Sequence, residues 1–186
     1  MPLPKVTILV PGYLTSQNFG RTCSTISLVI DGALKIIVDP GTVASQSVLV
    51  ESLRQQGLAL DDINIVFITH AHTDHYKSCG LFPRAKILDF WGWWEGDKWT
   101  KRDDRVSKHI QLIKTPGHSY DSMTMLVQTE QGAVALCGDV FLTKDIKQKD
   151  PYAQDQKALK KSRAKVLKLA DWIVPGHGEM FQAIKE

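Results

Sequence analysis

The chain has 186 residues, of which 43% are hydrophobic and 23% are charged. This composition is that of an ordinary globular protein, and the length most simply makes one domain over residues 1–186. Twenty-three basic and 20 acidic residues leave a net charge of +3, too small to indicate binding to nucleic acid or to an anionic membrane by bulk electrostatics.

The three cysteines indicate the compartment. Cys23, Cys79 and Cys137 are odd in number and far apart in the sequence, a pattern typical of free thiols in a reducing environment. The first residues lack the charged start and apolar stretch of a secretory signal, and no apolar run approaches the roughly 20 residues that span a bilayer. We therefore expect a cytoplasmic protein that does not enter the membrane.

The first half of the chain alternates short apolar runs with turn signals. Strands are predicted at 6–10, 24–30, 35–38 and 65–69. Asp31-Gly32, between the second and third of these runs, is a strong hairpin signal. Apolar residues at helical spacing predict a helix at 45–56, with Gly57 as its C-terminal cap.

The second half repeats this order. Strands are predicted at 85–88, 109–113, 122–128, 133–136 and 172–174. The longest helical pattern covers 154–169. Because strands dominate each half and helices follow them, the sequence favours an α/β architecture of two sheets flanked by helices.

Five of the six histidines fall into one metal-binding pattern. The densest part, residues 70–75, reads His-Ala-His-Thr-Asp-His and directly follows an apolar run. His70 and His72 are two residues apart where the chain leaves a strand, so both imidazoles can point to the same side. Asp74 and His75 follow where the chain must turn, which directs their side chains to a neighbouring point. Neutral imidazole and carboxylate bind zinc, iron or manganese.

Three more candidate ligands each follow a glycine at the end of a predicted strand: His118, Asp139 and His177. Glycine allows the backbone to turn sharply beside a crowded centre, and loops at strand ends are common positions for functional sites. A lone His-x-His is a weak signal that more often reflects packing. The additional ligands, in order, make a metal site the far better interpretation.

These residues together resemble the motifs of the metallo-β-lactamase fold superfamily. Asp39, which ends a strand before Pro-Gly, resembles the first motif of that superfamily. The resemblance extends from Val6 to His177 and is specific for fold and metal binding but not for substrate. It implies a four-layer αββα sandwich, in which two mixed β-sheets are flanked by helices and the metals lie in a cleft at one edge of the sheets.

The resemblance also implies which residues would hold two metal ions. The first ion would be bound by His70, His72 and His118. The second would be bound by Asp74, His75 and His177. Asp139 would bridge both ions, and Asp39 would fix the orientation of a ligand. Two Zn2+ ions are expected, with iron or manganese as alternatives.

The chemistry implied is hydrolysis by a metal-bound hydroxide, because two ions roughly 3.5–4 Å apart can bring the pKa of a shared water near neutrality. Asp74 and Asp139 would be the catalytic carboxylates, and Asp74 would also orient the hydroxide. His109 is a candidate proton donor to the leaving group. Its place before an apolar strand favours a structural role at the strand edge instead.

A tryptophan-rich segment at 90–99 lies on a predicted connection. Trp93, Trp94, Trp99 and Lys98 could form a rim that stacks on a flat substrate group. Alternatively, the tryptophans cover a sheet edge or form a homodimer contact. The sequence leaves both interpretations open.

The final motif, at 171–178, resembles the metallo-β-lactamase domain-containing protein 1 group, which implies cleavage of phosphodiesters such as RNA with incidental β-lactam hydrolysis. The first alternative is a hydrolase of small lactones or thioesters. The second is an iron-dependent persulfide dioxygenase, and the third is a non-catalytic interaction protein that keeps metal for stability.

Overall fold

The computed structural model describes residues 2–15, 20–145 and 149–184. In chain order its strands are β1 (Lys5–Val10), β2 (Tyr13–Leu14), β3 (Thr22–Cys23), β4 (Ile26–Asp31), β5 (Leu34–Val38), β6 (Ile65–Phe67), β7 (Lys86–Leu88), β8 (Trp93–Glu95), β9 (Lys98–Thr100), β10 (Ile110–Lys114), β11 (Met123–Thr129), β12 (Gly132–Leu136), β13 (Trp172–Val174) and β14 (Phe181–Gln182). The α-helices are α1 (Gln46–Gln55), α2 (Thr73–Tyr76) and α3 (Gln156–Leu169). Single 3-10 turns lie at Leu60–Asp62, Cys79–Leu81 and Gly138–Val140.

Two mixed sheets form the centre of the molecule. One has seven strands in the order β1-β4-β5-β6-β7-β8-β9, with β6 parallel to both of its neighbours. The other has five strands in the order β10-β11-β12-β13-β14, and its β12–β13 pair is parallel. Strands β2 and β3 form a separate small hairpin.

The side chains of the central strands alternate between two apolar clusters. In β5, Ile36 and Val38 belong to the cluster between the two sheets, whereas Ile37 belongs to the cluster beneath α1. In β6, Phe67 faces the first cluster and Val66 the second. Because successive residues of a strand point to opposite faces, a sheet covered on both faces needs apolar residues throughout. The structure has this arrangement.

Helices cover the outer faces of both sheets. Leu49 and Leu53 of α1 pack on the seven-stranded sheet, and Leu159 and Val166 of α3 pack on the five-stranded sheet. The predicted four-layer αββα sandwich of two mixed sheets flanked by helices is therefore confirmed. Among the described residues, no helix combines the length and apolarity needed to cross a bilayer.

Local capping explains where the two long helices begin. The hydroxyl of Ser45 accepts a hydrogen bond from the backbone N–H of Ser47, 3.3 Å away, at the start of α1. The carboxylate of Asp155 accepts from the first N–H groups of α3 at 2.8 and 3.0 Å. Side-chain acceptors at this position satisfy N–H groups that have no partner within the helix. Both helices begin within two residues of the predicted starts.

The tryptophan-rich segment differs from the prediction. It was expected to be a connection, but it forms the β8–β9 hairpin at the outer edge of the seven-stranded sheet. Trp94 pairs with Trp99 across the hairpin, and Gly96 adopts a positive φ of 61° in the two-residue turn. Cross-strand aromatic pairs and glycine-containing two-residue turns both stabilise hairpins.

We expect the buried face of α1 to contribute strongly to stability. Leu53 is fully buried, whereas Val50 on the same helix is 43% exposed. Replacing Leu53 with alanine should lower the free energy of unfolding by about 2–5 kcal/mol, because it leaves a cavity between helix and sheet. Val50→Ala, the matched control, should change it by no more than about 0.5 kcal/mol. Urea unfolding followed by circular dichroism measures both, and equal effects would contradict the packing described.

Candidate metal centre

The dense histidine segment changes conformation midway, which directs its ligands to two places. After β6 the chain bends at residues 69–71, rather than continuing in extended form as the sequence predicts, and the extended residue His72 immediately precedes α2. The single helical turn of α2 then carries Asp74 and His75, and the N–H of His75 donates to the carbonyl of His72 at 2.9 Å. The predicted turn at this point is a short helix.

The distant ligands emerge from the five-stranded sheet. His118 lies between β10 and β11, Asp139 lies in the 3-10 turn after β12, and His177 follows β13. Because β12 and β13 are parallel neighbours, Asp139 and His177 leave the sheet at the same edge. The carboxyl ends of parallel strands form the crevice in which such folds bind ligands.

All seven predicted ligands come together in two groups. The first group consists of His70, His72, His118 and Asp139, with one ligand atom from each lying within 4.8 Å of the others. The second group consists of Asp74, His75 and His177, within the same limit. In the first group, Nδ1 of His72 lies 3.0 Å from Nε2 of His70 and 2.9 Å from Nε2 of His118.

Asp139 lies between the groups. Its Oδ2 is 3.2 Å from Nε2 of His118 in the first group. Its Oδ1 is 3.3 Å from Nε2 of His75 and 3.4 Å from Nε2 of His177 in the second. One carboxylate therefore faces both groups, as expected for a residue that bridges two ions.

The donor atoms fit metal ions because the protein alone does not satisfy them. Nε2 of His75 and Oδ1 of Asp139 are buried and lie 3.3 Å apart, but within the described part of the chain neither atom makes a hydrogen bond of acceptable geometry, with the other or with a third group. Buried polar atoms are almost always paired, so such orphans indicate a missing partner. Imidazole nitrogens and carboxylate oxygens converging at these distances form a dimetal-binding cluster.

Asp39 contacts His75 directly and His70 through Thr69. Oδ2 of Asp39 lies 2.8 Å from Nδ1 of His75 and accepts a hydrogen bond from the hydroxyl of Thr69 at 2.7 Å, while Oδ1 accepts from the N–H of Thr69 at 2.8 Å. The Thr69 hydroxyl lies 3.1 Å from Nδ1 of His70. Asp39 itself has a φ of +49°, unusual for a residue other than glycine, and its several hydrogen bonds hold it there.

Three further supports lie outside the sequence motifs. The hydroxyl of Thr22 donates to Oδ2 of Asp74 at 2.6 Å, and the carbonyl of Cys23 accepts from Nδ1 of His177 at 3.0 Å. Nδ1 of His118 lies 2.6 Å from the carboxylate of Asp150. None of these three residues was predicted, because isolated residues on the β2–β3 hairpin and on a loop carry no local sequence pattern.

Burial and mutual charge set the protonation of the cluster. Burial, and next the charge of His75, lower the pKa of His70 well below its ordinary value, and burial likewise lowers the pKa of His72. Burial also lowers the pKa of His75, but the carboxylates of Asp139 and Asp39 outweigh it and raise that pKa well above the ordinary value. For Asp139, burial raises the pKa, but His75 and His177 outweigh it and hold the pKa well below the usual range. These shifts favour the neutral forms of His70 and His72 and the ionised form of Asp139, which are the forms that bind metal.

The cluster lies at the base of a cavity of about 510 Å³. Around the ligands, its wall is formed by Leu14, Gly20, Thr22, Leu142 and Tyr152. Its polar base and partly apolar wall suit a small reacting group held against the metals.

The other predicted site residues lie elsewhere. None of the four residues proposed for a substrate rim is among the described residues of the cavity wall; they lie on the β8–β9 hairpin: Trp93, Trp94, Lys98 and Trp99. Their role at a rim stays a prediction. His109 precedes β10 whereas His118 follows it, so the two lie at opposite ends of a strand about 17 Å long. This position favours the structural role of His109 over proton donation.

Comparison with known proteins decides the family. The family model described as the metallo-beta-lactamase superfamily matches residues 20–107. Metallo-beta-lactamase domain-containing protein 1 of Xenopus laevis is 34% identical, over 97% of this chain and 82% of that protein. The chain belongs to the metallo-beta-lactamase superfamily. The resemblance found in the sequence is confirmed, and with its dimetal-binding cluster the protein is a metal-dependent hydrolase of this superfamily.

Solved structures show the same fold. A Thermotoga maritima protein classed as a metallo-beta-lactamase has a TM-score of 0.76 and 22% identity, covering 97% of this chain and 99% of that one. AidC, a dizinc quorum-quenching lactonase, has a TM-score of 0.66 and 18% identity, covering 86% and 73%. At these identities the likeness concerns the fold alone.

Gly176 allows Asp139 to approach the cluster. A Cβ atom at Gly176 would overlap Oδ1 of Asp139, so Gly176→Ala must displace the carboxylate that faces both groups. We expect at least about tenfold weaker metal binding, the size typical of disturbed ligand supports. Gly80 is the matched control, because a Cβ atom there meets nothing within 4 Å. Titration of each metal-free protein with Zn2+ against a chelator compares the two, and equal affinities would contradict this role of Gly176.

Proposed function

We propose that the protein is a dinuclear zinc hydrolase that cleaves phosphodiester bonds, with RNA among its substrates. The observation that carries the proposal is the position of Asp139, whose two oxygens lie 3.2 and 3.3 Å from nitrogen ligands of different groups. When bound, two ions supply an activated water and offset the negative charge that develops on the reacting phosphate.

Asp74, Thr22 and Asp139 have separate roles in the proposed reaction. Asp74 is partly exposed and lines the cavity, so its carboxylate can accept a hydrogen bond from the attacking water. Thr22 holds one of its oxygens at 2.6 Å and thereby limits the rotation of the carboxylate. Asp139 is buried and stays ionised because His75 and His177 lower its pKa, so it remains a ligand rather than a proton carrier.

The donor set supports zinc as the metal. Five histidines and two carboxylates, without a cysteine among them, suit tetrahedral or five-coordinate zinc. AidC, which shares the fold, is a dizinc protein. Iron and manganese accept the same donors, so metal analysis belongs to the test.

An exposed aromatic surface that includes Trp91, which lines a second cavity together with His70, supports a nucleic acid substrate. The rings of Phe90, Trp91 and Tyr120 have centroids 5.2 to 6.4 Å apart, and Nζ of Lys114 lies 4.9 Å from the centroid of Phe90. Trp91 is 54% exposed and Tyr120 61% exposed. Exposed rings beside a cation stack with bases and attract a phosphate backbone.

Hydrolysis of lactones or thioesters is the second candidate, favoured by the cavity wall. Leu14 and Leu142 present apolar side chains beside the cluster, and the described part of the wall contains no lysine or arginine. Such a wall suits an uncharged acyl chain better than a polyanion. AidC is a lactonase with N-hexanoyl-homoserine as its bound product.

The proposal also includes the location, the domain organisation and the oligomeric state of the enzyme. Free thiols at Cys23, Cys79 and Cys137 support a cytoplasmic location. We further propose one domain over residues 1–186. A homodimer contact through the exposed Trp94 and Trp99 at the β9 edge stays a prediction.

A substrate screen on zinc-loaded protein tests the function. Single-stranded RNA, single-stranded DNA and bis(p-nitrophenyl) phosphate should be cleaved faster than N-acyl lactones, thioesters and β-lactams. Asp139→Ala, which removes the shared carboxylate, should lower kcat/KM by at least about 10²-fold, as expected when a major electrostatic contact of the transition state is lost. A Gly80→Ala protein from the same purification serves as the control.

The outcomes separate the candidates. Faster turnover of lactones or thioesters would replace the phosphodiester proposal with the second candidate. One iron per chain with oxygen consumption on a persulfide would indicate the dioxygenase. Full activity in the Asp139→Ala protein would assign the turnover to a contaminant.

A further inference from the structure

A buried carboxylate outside every sequence motif contacts the first metal group. Asp150 is fully buried, and its Oδ2 lies 2.6 Å from Nδ1 of His118. Its Oδ1 accepts a hydrogen bond from the N–H of Tyr152 at 2.9 Å. An ionisable residue is rarely buried completely unless its charge is paired and hydrogen-bonded, and both oxygens of Asp150 are used.

The contact with Asp150 selects the form of His118. With Nδ1–H donating to the carboxylate, the lone pair of Nε2 is left for a metal. This Nε2 lies 2.9 Å from Nδ1 of His72 and 3.2 Å from Oδ2 of Asp139, at the centre of the first group. Asp150 thus fixes both the tautomer and the direction of one ligand.

Backbone contacts join the Asp150 segment to the His118 loop. The N–H of Gln154 donates to the carbonyl of His118 at 3.1 Å, and the N–H of Asp155 donates to the carbonyl of Gly117 at 2.9 Å. Tyr152, between these positions, forms part of the cavity wall. Backbone hydrogen bonds therefore link the His118 loop to this part of the wall.

Each metal group has its own buried carboxylate. Asp39, which follows β5 of the seven-stranded sheet, holds His75 of the second group. Asp150, which precedes α3 on the five-stranded sheet, holds His118 of the first group. We propose that Asp150 is a positioning residue that sets the affinity of the first metal group separately from the second. The inference rests on the dinuclear centre but not on which substrate is cleaved.

Asp150→Asn tests whether Asp150 acts through both carboxylate oxygens or only fills space. Asn has nearly the same shape but only one oxygen, so it cannot accept from both His118 and Tyr152. Whichever way the amide turns, one donor then faces an NH2 group. The same reasoning applies to Asp39, which accepts from Thr69 and holds His75.

Reciprocal single-site backgrounds provide the test. His177→Ala removes a ligand of the second group, and His72→Ala removes a ligand of the first. In the His177→Ala protein, Asp150→Asn should weaken binding of the remaining Co2+ by about 10–100-fold and shift its visible spectrum. In the His72→Ala protein, which keeps the second group, Asp150→Asn should change the affinity less than about threefold. Chelator competition gives the affinities.

Equal effects of Asp150→Asn in both backgrounds, or no effect in the His177→Ala background, would overturn the proposal. Asp171→Asn is the matched control, because Asp171 also accepts a backbone hydrogen bond, from Ala133 at 2.8 Å, and it precedes β13 at the end away from His177. It should leave both affinities unchanged. Circular dichroism verifies that each variant is folded.

A second variant, Gln156→Met, tests the same proposal if the Asp150→Asn protein does not fold. Gln156 donates from Nε2 to the carbonyl of Asp150 at 2.5 Å, and Gln156→Met removes this donor without altering the carboxylate. Gln156→Met should weaken binding of the first ion by a smaller factor than Asp150→Asn does, and it should leave binding of the second ion unchanged. A change in affinity confined to the second ion would overturn the proposal. Wild-type protein that binds fewer than two ions would instead refute the dinuclear proposal itself.

Discussion

The packing of the two sheets against each other fixes the metal centre. Four strands end in the same apolar cluster between the sheets, at Val38, Phe67, Leu136 and Val174. In register, Val38 pairs with Phe67 and Leu136 pairs with Val174. The chain beyond these four ends supplies Asp39, His70, Asp139 and His177 within three residues. Because the apolar ends cannot shift without opening the core, the polar residues just beyond them keep their spacing.

Asp139 and His75 stabilise each other's charged form within the cluster. The carboxylate of Asp139 raises the pKa of His75, and His75 lowers the pKa of Asp139. Asp139 also outweighs the effect of burial at His177 and raises the pKa of that side chain.

Sequence reasoning succeeded where the signal was local. The spacing of His70, His72, Asp74 and His75 follows from a strand that turns into a helix, and the three distant ligands stand at strand ends after glycine. All seven converge in the structure, and the alternating apolar runs gave the two sheets. The strands and the dense histidine segment depend on residues within a few positions of one another, whereas the grouping with the three distant ligands was implied by the resemblance to the superfamily.

Contacts between distant parts of the chain could not be predicted from the sequence, and the hairpin turn within the tryptophan-rich segment was not predicted. Asp150 and His118 are 32 residues apart, and nothing near Asp150 marks it as a partner. The two residues between Glu95 and Lys98 are a hairpin signal, but the prediction of a connection gave more weight to the many tryptophans around them. The cavity wall, with Leu14 and Tyr152, likewise depends on tertiary structure.

The hydrogen bonds between Thr25 and the loop after β13 link residues more than 150 positions apart: Thr25 N–H donates to Gly176 at 2.6 Å and Gly178 N–H to the Thr25 hydroxyl at 3.0 Å. A ribosome releases the chain from its N-terminus, so every donor of the group formed by His70, His72, His118 and Asp139 emerges before His177. The second group, in contrast, lacks His177 until β13 has been made, and its closure depends on a contact of high sequence separation, which is the kind that forms slowly in folding.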